Sequence, residues 1–277
     1  MDALSRSSKS EHVHSGVKVI QFTDCHLGPI ASETLLGLNT DQSLEDVLQL
    51  IQQNEPHIDQ LICTGDVASA GHIDCYTRFN LLVRRYFSQP LAWLPGNHDS
   101  SEIMSASAKS LSIESRLASV GNWLIVLLDS SVPEQVYGHL EASELDFLSY
   151  VLRHNHENKP VMVCLHHQPI NVGSEWIDQY TVRNSNALYE LVDRYPQVKI
   201  ISWGHVHQEF ESVRKNVKHF ATPSTCVQFK PLCKNFTVDT KMPGYRWFEL
   251  NADGSFTTGV NRVTNKSYVI DYKSAGY

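Results

Sequence analysis

The chain has 277 residues, 42% hydrophobic and 19% charged, with a formal net charge of −7. That balance allows a sizeable core and excludes an intrinsically disordered chain. A negative charge without any Lys/Arg-rich stripe argues against duplex DNA or another nucleic acid as partner. No apolar stretch approaches the length needed to cross a bilayer. The polar start, "MDALSRSSKSEHVHSG", lacks the apolar segment of a signal peptide. A soluble, cytoplasmic protein with no membrane partner is expected. Cys25, Cys63, Cys75, Cys164, Cys226 and Cys233 are scattered, several of them in apolar runs, which fits reduced, packed thiols.

Residues 1–15 read as a flexible arm, and 16–277 as one domain whose last few residues are mobile. "VKVIQFTD" (17–24) predicts a strand. "SLEDVLQLIQQN" (43–54) predicts a helix with Leu44, Val47, Leu48 and Ile51 on one stripe, and Ser43 with Asp46 resembles a capping box. "IDQLICTGD" is a second strand, "YTRFNLLVRRYF" a helix, and "LAWLPGNHD" a strand running into a turn. "NWLIVLLDS" is a further strand, and "LEASELDFLSYVLRHN" a helix with Leu145, Leu148 and Leu152 on one side. Then follow a strand, "PVMVCLHH", a helix, "SNALYELVDRYP", and another strand, "VKIISWGHVH". "RWFELNADGSFTTGVNRV" alternates around Asp253 and Gly254 and predicts a β-hairpin. Alternating strands and helices indicate an α/β fold with covered sheets.

Polar residues at the strand ends carry the chemistry. Asp24 and His26 follow one strand, Asp66 another, and Asn97, His98 and Asp99 a third; His166 and His167 follow a fourth, His205 and His207 a fifth. Taken singly, an Asp there is a cap or turn residue and a His a hydrogen-bonded surface group. Taken together, all are oxygen or imidazole donors, and α/β sheets gather ligands at the carboxyl ends of strands. A metal centre explains the set at once. If the path through "GHVH" stays extended, His205 and His207 share a face; period two turns Cys25 away from Asp24 and His26 into the core. Trp176 and Phe229, in segments after the last two blocks, are candidates to stack on a purine.

The blocks D-x-H, G-D, G-N-H-D, H-x-x-P and G-H-x-H, in this order over residues 24–207, resemble the calcineurin-like metallophosphoesterases. "LLGLNT", "EWIDQYTVRN" and "ATPSTCVQFKP" extend the likeness over nearly the whole chain to the bacterial class III cyclic-AMP phosphodiesterases. Gln168 departs from the Pro or His that related enzymes often carry. The resemblance implies a four-layer α/β/β/α sandwich of two mixed sheets holding two divalent ions, Fe and/or Mn or else Zn. It implies Asp24, His26 and His207 on one ion, Asn97, His166 and His205 on the other, and Asp66 bridging. His167 then supports His166, for which it is the runner-up as ligand. His26, Asp66, Asn97, His98, His166 and His207 would contact the substrate phosphate, with His98 as general acid and Asp99 accepting a hydrogen bond from it. The reaction implied is hydrolysis of a small-molecule cyclic nucleotide, 3′,5′-cyclic AMP, to 5′-AMP by a metal-bridging hydroxide, lowering intracellular cyclic AMP. A glycerophosphodiesterase, a nucleotidase or a non-catalytic scaffold of the same fold is the alternative.

Overall fold

The computed structural model describes residues 16–114 and 116–276; the expected arm, 1–15, lies outside the described residues. Strand β1 (Gly16–Phe22) leads into a small ribbon, β2 (Thr34–Leu35) and β3 (Leu38–Asn39). Helix α1 (Thr40–Asn54), β4 (Gln60–Cys63), α2 (Ile73–Tyr86) and β5 (Leu91–Trp93) follow. Next come α3 (Ser101–Leu111), β6 (Leu117–Val120), β7 (Trp123–Leu127), α4 (Ala142–His154), β8 (Val161–Cys164), α5 (Ser185–Val192) and β9 (Val198–Trp203). Strands dominate the last third: β10 (Phe210–Arg214), β11 (Val217–Ala221), the short β12 (Gln228–Phe229) and β13 (Val238–Asp239), β14 (Gly244–Asn251) and β15 (Phe256–Arg262).

Two sheets form, in the orders β15-β14-β1-β4-β5 and β10-β11-β9-β8-β7-β6. Both are mixed: β1, β4 and β5 run parallel, as do β7, β8, β9 and β11, while β14, β15, β6 and β10 pair antiparallel to their neighbours. Alternation along each strand sorts side chains between two cores. In β1, Ile20 and Phe22 join the core beneath α1, α2 and α3, whereas Val19 faces the other sheet. The second sheet packs Val163 and Ile201 against Leu148, Leu152 and Leu188 of α4 and α5, while Met162 and Ile200 meet Val19, Ile62 and Phe248 between the sheets. Three apolar interfaces thus stack four layers, α/β/β/α, as the resemblance implied.

One polar bridge crosses the apolar seam. The Ser202 hydroxyl donates to Gln21 Oε1, and Gln21 Nε2 donates to Thr64 Oγ1 (2.9 Å) and to the Trp203 carbonyl (3.3 Å). All three side chains are fully buried, so losing a partner would strand a polar group at about 1–3 kcal/mol. The bridge fixes how far one sheet slides on the other, three residues before Asp24 and His205.

Local details correct the reading of α1. Asn39 caps it by accepting from the Gln42 amide at 2.9 Å, and Ser43 lies inside the helix, donating to the Thr225 carbonyl. The helix starts three residues earlier because Asn39 ends β3 in extended backbone, leaving its side chain to meet the first turn. Beyond β15, Tyr268 and Ile270 pack on a small cluster with Leu38, Val227 and Phe229. No helix among the described residues is long and apolar enough to cross a membrane.

Candidate metal centre

Strands β1, β4 and β5 of one sheet and β8 and β9 of the other release their chains at one edge, and each release is followed at once by donor residues. The backbone there is not extended. Asp24 (φ 54°), His26 (φ 47°), Asp66 (φ 49°), His205 (φ 63°) and His207 (φ 48°) all adopt left-handed conformations. Each costs roughly 1–2 kcal/mol for a residue with a Cβ. Consequently His205 and His207 do not share a strand face: His205 gathers with His166 and His167, and His207 with Asp24 and His26. Hydrogen bonds between loops hold the strained backbone, from Asp24 N to Gly65 O (3.0 Å) and His26 N to Asp66 O (2.9 Å). Two glycines admit the carboxylates. A Cβ on Gly96 would lie 2.1 Å from Asp66 Oδ1, and one on Gly204 2.8 Å from Asp24 Oδ2.

The donors converge. His207 Nε2 lies 3.3 Å from Asp24 Oδ1 and 3.2 Å from His26 Nε2. His166 Nε2 lies 3.2 Å from Asn97 Oδ1 and 3.3 Å from Asp66 Oδ2, and that same Oδ2 is 3.7 Å from His26 Nε2. Asp66 therefore touches both groups. His166 Nδ1 donates to the Thr64 carbonyl (2.7 Å) and His207 Nδ1 to the Val227 carbonyl (2.8 Å), which turns each Nε2 inward. His205 anchors by its backbone amide, 3.1 Å from both oxygens of Asp24.

The electrostatics of the cluster favour a cation. Burial pushes His26, His167 and His205 well below the usual imidazole range, reinforced by neighbouring imidazoles. Burial works against charge on His166 too, but the Asp66 carboxylate overrides it and raises the imidazole to about 9. Asp66, although buried, is held well below the carboxylate range, chiefly by His166 and His98. An entering cation must displace the proton of that pair. His167 and His205 each keep a buried Nε2 with no hydrogen-bond partner among the described residues. Carboxylate, amide and imidazole donors without thiolate fit divalent Mn, Fe or Zn. Both the orphaned nitrogens and the facing Nε2 atoms of His26 and His207, 3.2 Å apart, fit cations.

Several expected roles move. Asp99 does not orient His98. Its carboxylate accepts the amides of Gly96 (2.9 Å), Val67 (3.2 Å) and Ala68 (2.9 Å), so it clasps the two loops together. Burial, with Asp66 nearby, raises Asp99 to about 6. The Ser69 carbonyl is the partner of His98 Nδ1, at 3.2 Å, and the His98 amide donates to Asp66 Oδ1 at 2.9 Å. A turn this tight points the Asp99 side chain back at backbone amides, where sequence adjacency to His98 suggested a side-chain pair. Phe229 is fully buried and stacked on His207, centroids 4.2 Å apart and planes 7° apart, so it backs that imidazole and is not a base platform. His167 Nδ1 meets the Ser130 hydroxyl at 2.9 Å. Gln168 is fully buried and donates to the Ile177 carbonyl, a packing role. Cys25 is in the core, as expected.

A cavity of about 460 Å³ opens beside this cluster. Asn97, His98 and His205 form its polar floor; Val136, Trp176, Tyr180 and Phe236 line it with apolar surface. Ala275 and Gly276 also reach it, a contribution with no sequence signal.

The sequence model for calcineurin-like phosphoesterases matches residues 17–209. The chain is 40% identical to the 3′,5′-cyclic adenosine monophosphate phosphodiesterase CpdA of Pseudomonas aeruginosa, over 99% of this chain and 100% of that one. It is 39% identical to the 3′,5′-cyclic-nucleotide phosphodiesterase alr5338 of a Nostoc strain, over 89% and 92% of the two chains. Among solved structures, a dimetal phosphatase from Danio rerio superposes with a TM-score of 0.58 at 13% identity, covering 90% of this chain and 99% of that one. Purple acid phosphatase PPD1 of yellow lupin superposes at 0.66 and 13% identity, covering 92% and 53%. At such identity the structural likeness speaks for the fold alone.

Proposed function

The chain belongs to the calcineurin-like phosphoesterases, and from that premise we propose that it is a metal-dependent phosphodiesterase that hydrolyses 3′,5′-cyclic AMP to 5′-AMP. One observation carries the reading. Identity to a cyclic-AMP phosphodiesterase extends over 99% of the chain, well past the matched span 17–209 and into the part that supplies no metal donor.

In this reading Asp24, His26 and His207 hold one divalent ion, Asn97, His166 and His205 the other, and Asp66 both. When bound, the pair of ions supplies Lewis acidity to the phosphoryl oxygens and lowers the pKa of a water so that it attacks phosphorus. The protein residues do the rest. The carbonyls of Thr64 and Val227 fix the tautomers of His166 and His207, so that both present a lone pair. Asn97 and His98 face the phosphate from the cavity floor. His98, its Nδ1 proton engaged by Ser69, delivers a proton from Nε2 to the departing 3′-oxygen as the P–O3′ bond breaks. The water oxygen thereby becomes a phosphoryl oxygen; one of its two protons makes good the one that His98 gave to O3′, and the other stays on the phosphate or passes to solvent, leaving 5′-AMP. Asp99 acts through the loop it clasps and touches no reacting atom.

The test is hydrolysis of a panel of linear and cyclic phosphate esters by protein loaded with Mn²⁺, Fe²⁺ or Zn²⁺, with products separated by chromatography. Release of 5′-AMP from 3′,5′-cyclic AMP is expected. Cleavage of monoesters with cyclic AMP left intact would make the protein a nucleotidase-like phosphatase instead.

A further inference from the structure

The cavity beside the metal centre has an unusual lip. Ala275 and Gly276 border the same space as Asn97, His98 and His205, yet they follow β15 by more than a dozen residues and lie outside the matched family span 17–209. Their position is built. Lys266 and Tyr268 reach Asp46 of α1 at 2.9 and 2.8 Å. The Asp271 amide donates to the Leu36 carbonyl at 2.8 Å, beside the β2–β3 ribbon. Tyr268 and Ile270 pack into the small apolar cluster that also takes in Trp176 and Phe236, the aromatic lining of the cavity, and Phe229, the ring stacked on His207. Between Asp271 and Gly276 the strap turns on itself: the Lys273 amide donates to Asp271 Oδ1 (3.0 Å) and the Ser274 hydroxyl to the Gly276 carbonyl. Elsewhere it is thin, with Val269 82% and Tyr272 48% exposed, so its hold on this path comes from those few contacts.

We propose that residues 271–276 form the outer wall of the nucleoside subsite, closing over the Trp176, Tyr180 and Phe236 lining, and that this strap sets preference for a nucleoside cyclic phosphate over compact phosphodiesters. The proposal rests on the phosphodiesterase reading above. A cavity of about 460 Å³ lies in the range that accommodates a small organic ligand, and its make-up is that of such sites: aromatic surface for the bulk of the ligand, a few polar groups to orient it. The phosphate belongs at Asn97 and His98. The base and ribose must then extend along the aromatic lining toward the strap, whose small residues Ser274, Ala275 and Gly276 allow close approach.

Two variants test it: one ending at Asp271, which keeps the tether to Leu36, and Gly276→Trp. A Cβ at position 276 meets nothing within 4 Å among the described residues, so the added side chain starts into open space at the cavity mouth. Each is assayed with cyclic AMP and with methyl p-nitrophenyl phosphate, a diester that carries no nucleoside. The shortened chain should show a KM for cyclic AMP about five- to twentyfold higher with kcat retained, the mark of lost uniform binding. Gly276→Trp should shift that KM by about threefold or more. Kinetics on the small diester should stay within about twofold for both. If the two substrates respond alike, or neither responds, the strap is a structural tie only and the proposal falls. Wild-type protein that cleaves the small diester but leaves cyclic AMP untouched overturns the substrate reading, and this proposal with it.

Discussion

His98 is the residue on which the proposed chemistry turns most sharply. Its nitrogen lies close enough to His26 and Asp66 to have been a ligand, but its Nδ1 is committed to Ser69 and its neighbour Asn97 already faces His166. His98→Ala should keep its metal content while cyclic-AMP hydrolysis falls about 10²- to 10⁴-fold, the usual worth of acid assistance. The loss should shrink for bis(p-nitrophenyl) phosphate, whose leaving group needs little protonation. Equal losses on both substrates would make His98 a phosphate-positioning group, and loss of metal would move it into the coordination shell. At this scale the donor residues were legible from sequence because their types are restricted and each follows an apolar run. What each side chain faces was not. Left-handed backbone at Asp24, His26, Asp66, His205 and His207 breaks the period-two rule, and only the glycines that precede two of them, Gly65 before Asp66 and Gly204 before His205, hint at it. Asp99 was misread for a related reason: adjacency in sequence says little about contact inside a tight turn.

At the scale of elements, the strongly periodic helices α1, α2, α4 and α5 are legible in the sequence, although α1 and α2 each start three residues earlier than expected, while α3 and β6 escape the pattern. "SEIMSASAKSL" is rich in small and polar residues and buries only Met104, Ser107 and Ala108, too thin a stripe to stand out. The hairpin of β10 and β11 sits at a sheet edge, and its first strand buries no residue fully, so alternation there is faint. One contact between elements yields a pH prediction. Helix α5 docks on β11 through Tyr189, whose hydroxyl meets His219 Nε2 at 2.9 Å while His219 Nδ1 faces the Val217 carbonyl at 3.2 Å. Arg214 lies over the Tyr189 ring, 4.1 Å from its centroid, and pairs with Asp193, as does Lys215. Burial, aided by the Arg214 charge, lowers His219 to about 4. The unfolded chain takes up that proton near pH 6.5, so the stability contributed by neutral His219 is complete above pH 6.5 and drains away as the pH falls toward 4. Urea melts of wild type and His219→Gln between pH 7.5 and 4.5 should show a stability gap that narrows on acidification. A gap independent of pH would mean that His219 titrates normally.

Across the whole molecule, the donors come from both sheets: Asp24, His26, Asp66 and Asn97 from one, His166, His205 and His207 from the other. A cation at this edge therefore ties the two halves of the sandwich, and a ligand that binds only the folded state stabilises it by mass action. Ions present at about a hundred times their Kd contribute about 2.7 kcal/mol, which for a chain of this size raises Tm by about 5–10 °C. Chelation followed by dialysis should lower Tm by that amount, and Mn²⁺ should restore it. An Asp66→Asn variant should lose most of the response, since one carboxylate serves both groups; identical melting with and without metal would contradict a centre shared between the sheets. The layered architecture was legible in the strand–helix alternation. The strap over the cavity was not, because its residues are small, polar and aperiodic, and their place is set by contacts more than two hundred residues away in sequence, as from Lys266 and Tyr268 to Asp46.

The pairing of β1 carries a consequence for how this chain is made. On one side β1 is joined by β4, synthesised soon after it; on the other it is joined by β14, with Gly16 opposite Asn251. At about 5–20 residues per second, the ribosome leaves that flank of the first strand uncovered for roughly 10–50 s. Throughout that interval the nascent chain presents an open row of amide and carbonyl groups, the template on which strands of other chains add. Release from the ribosome before residue 244 would make this vulnerability permanent, so the final strands protect the newborn protein from its neighbours as well as completing its sheet.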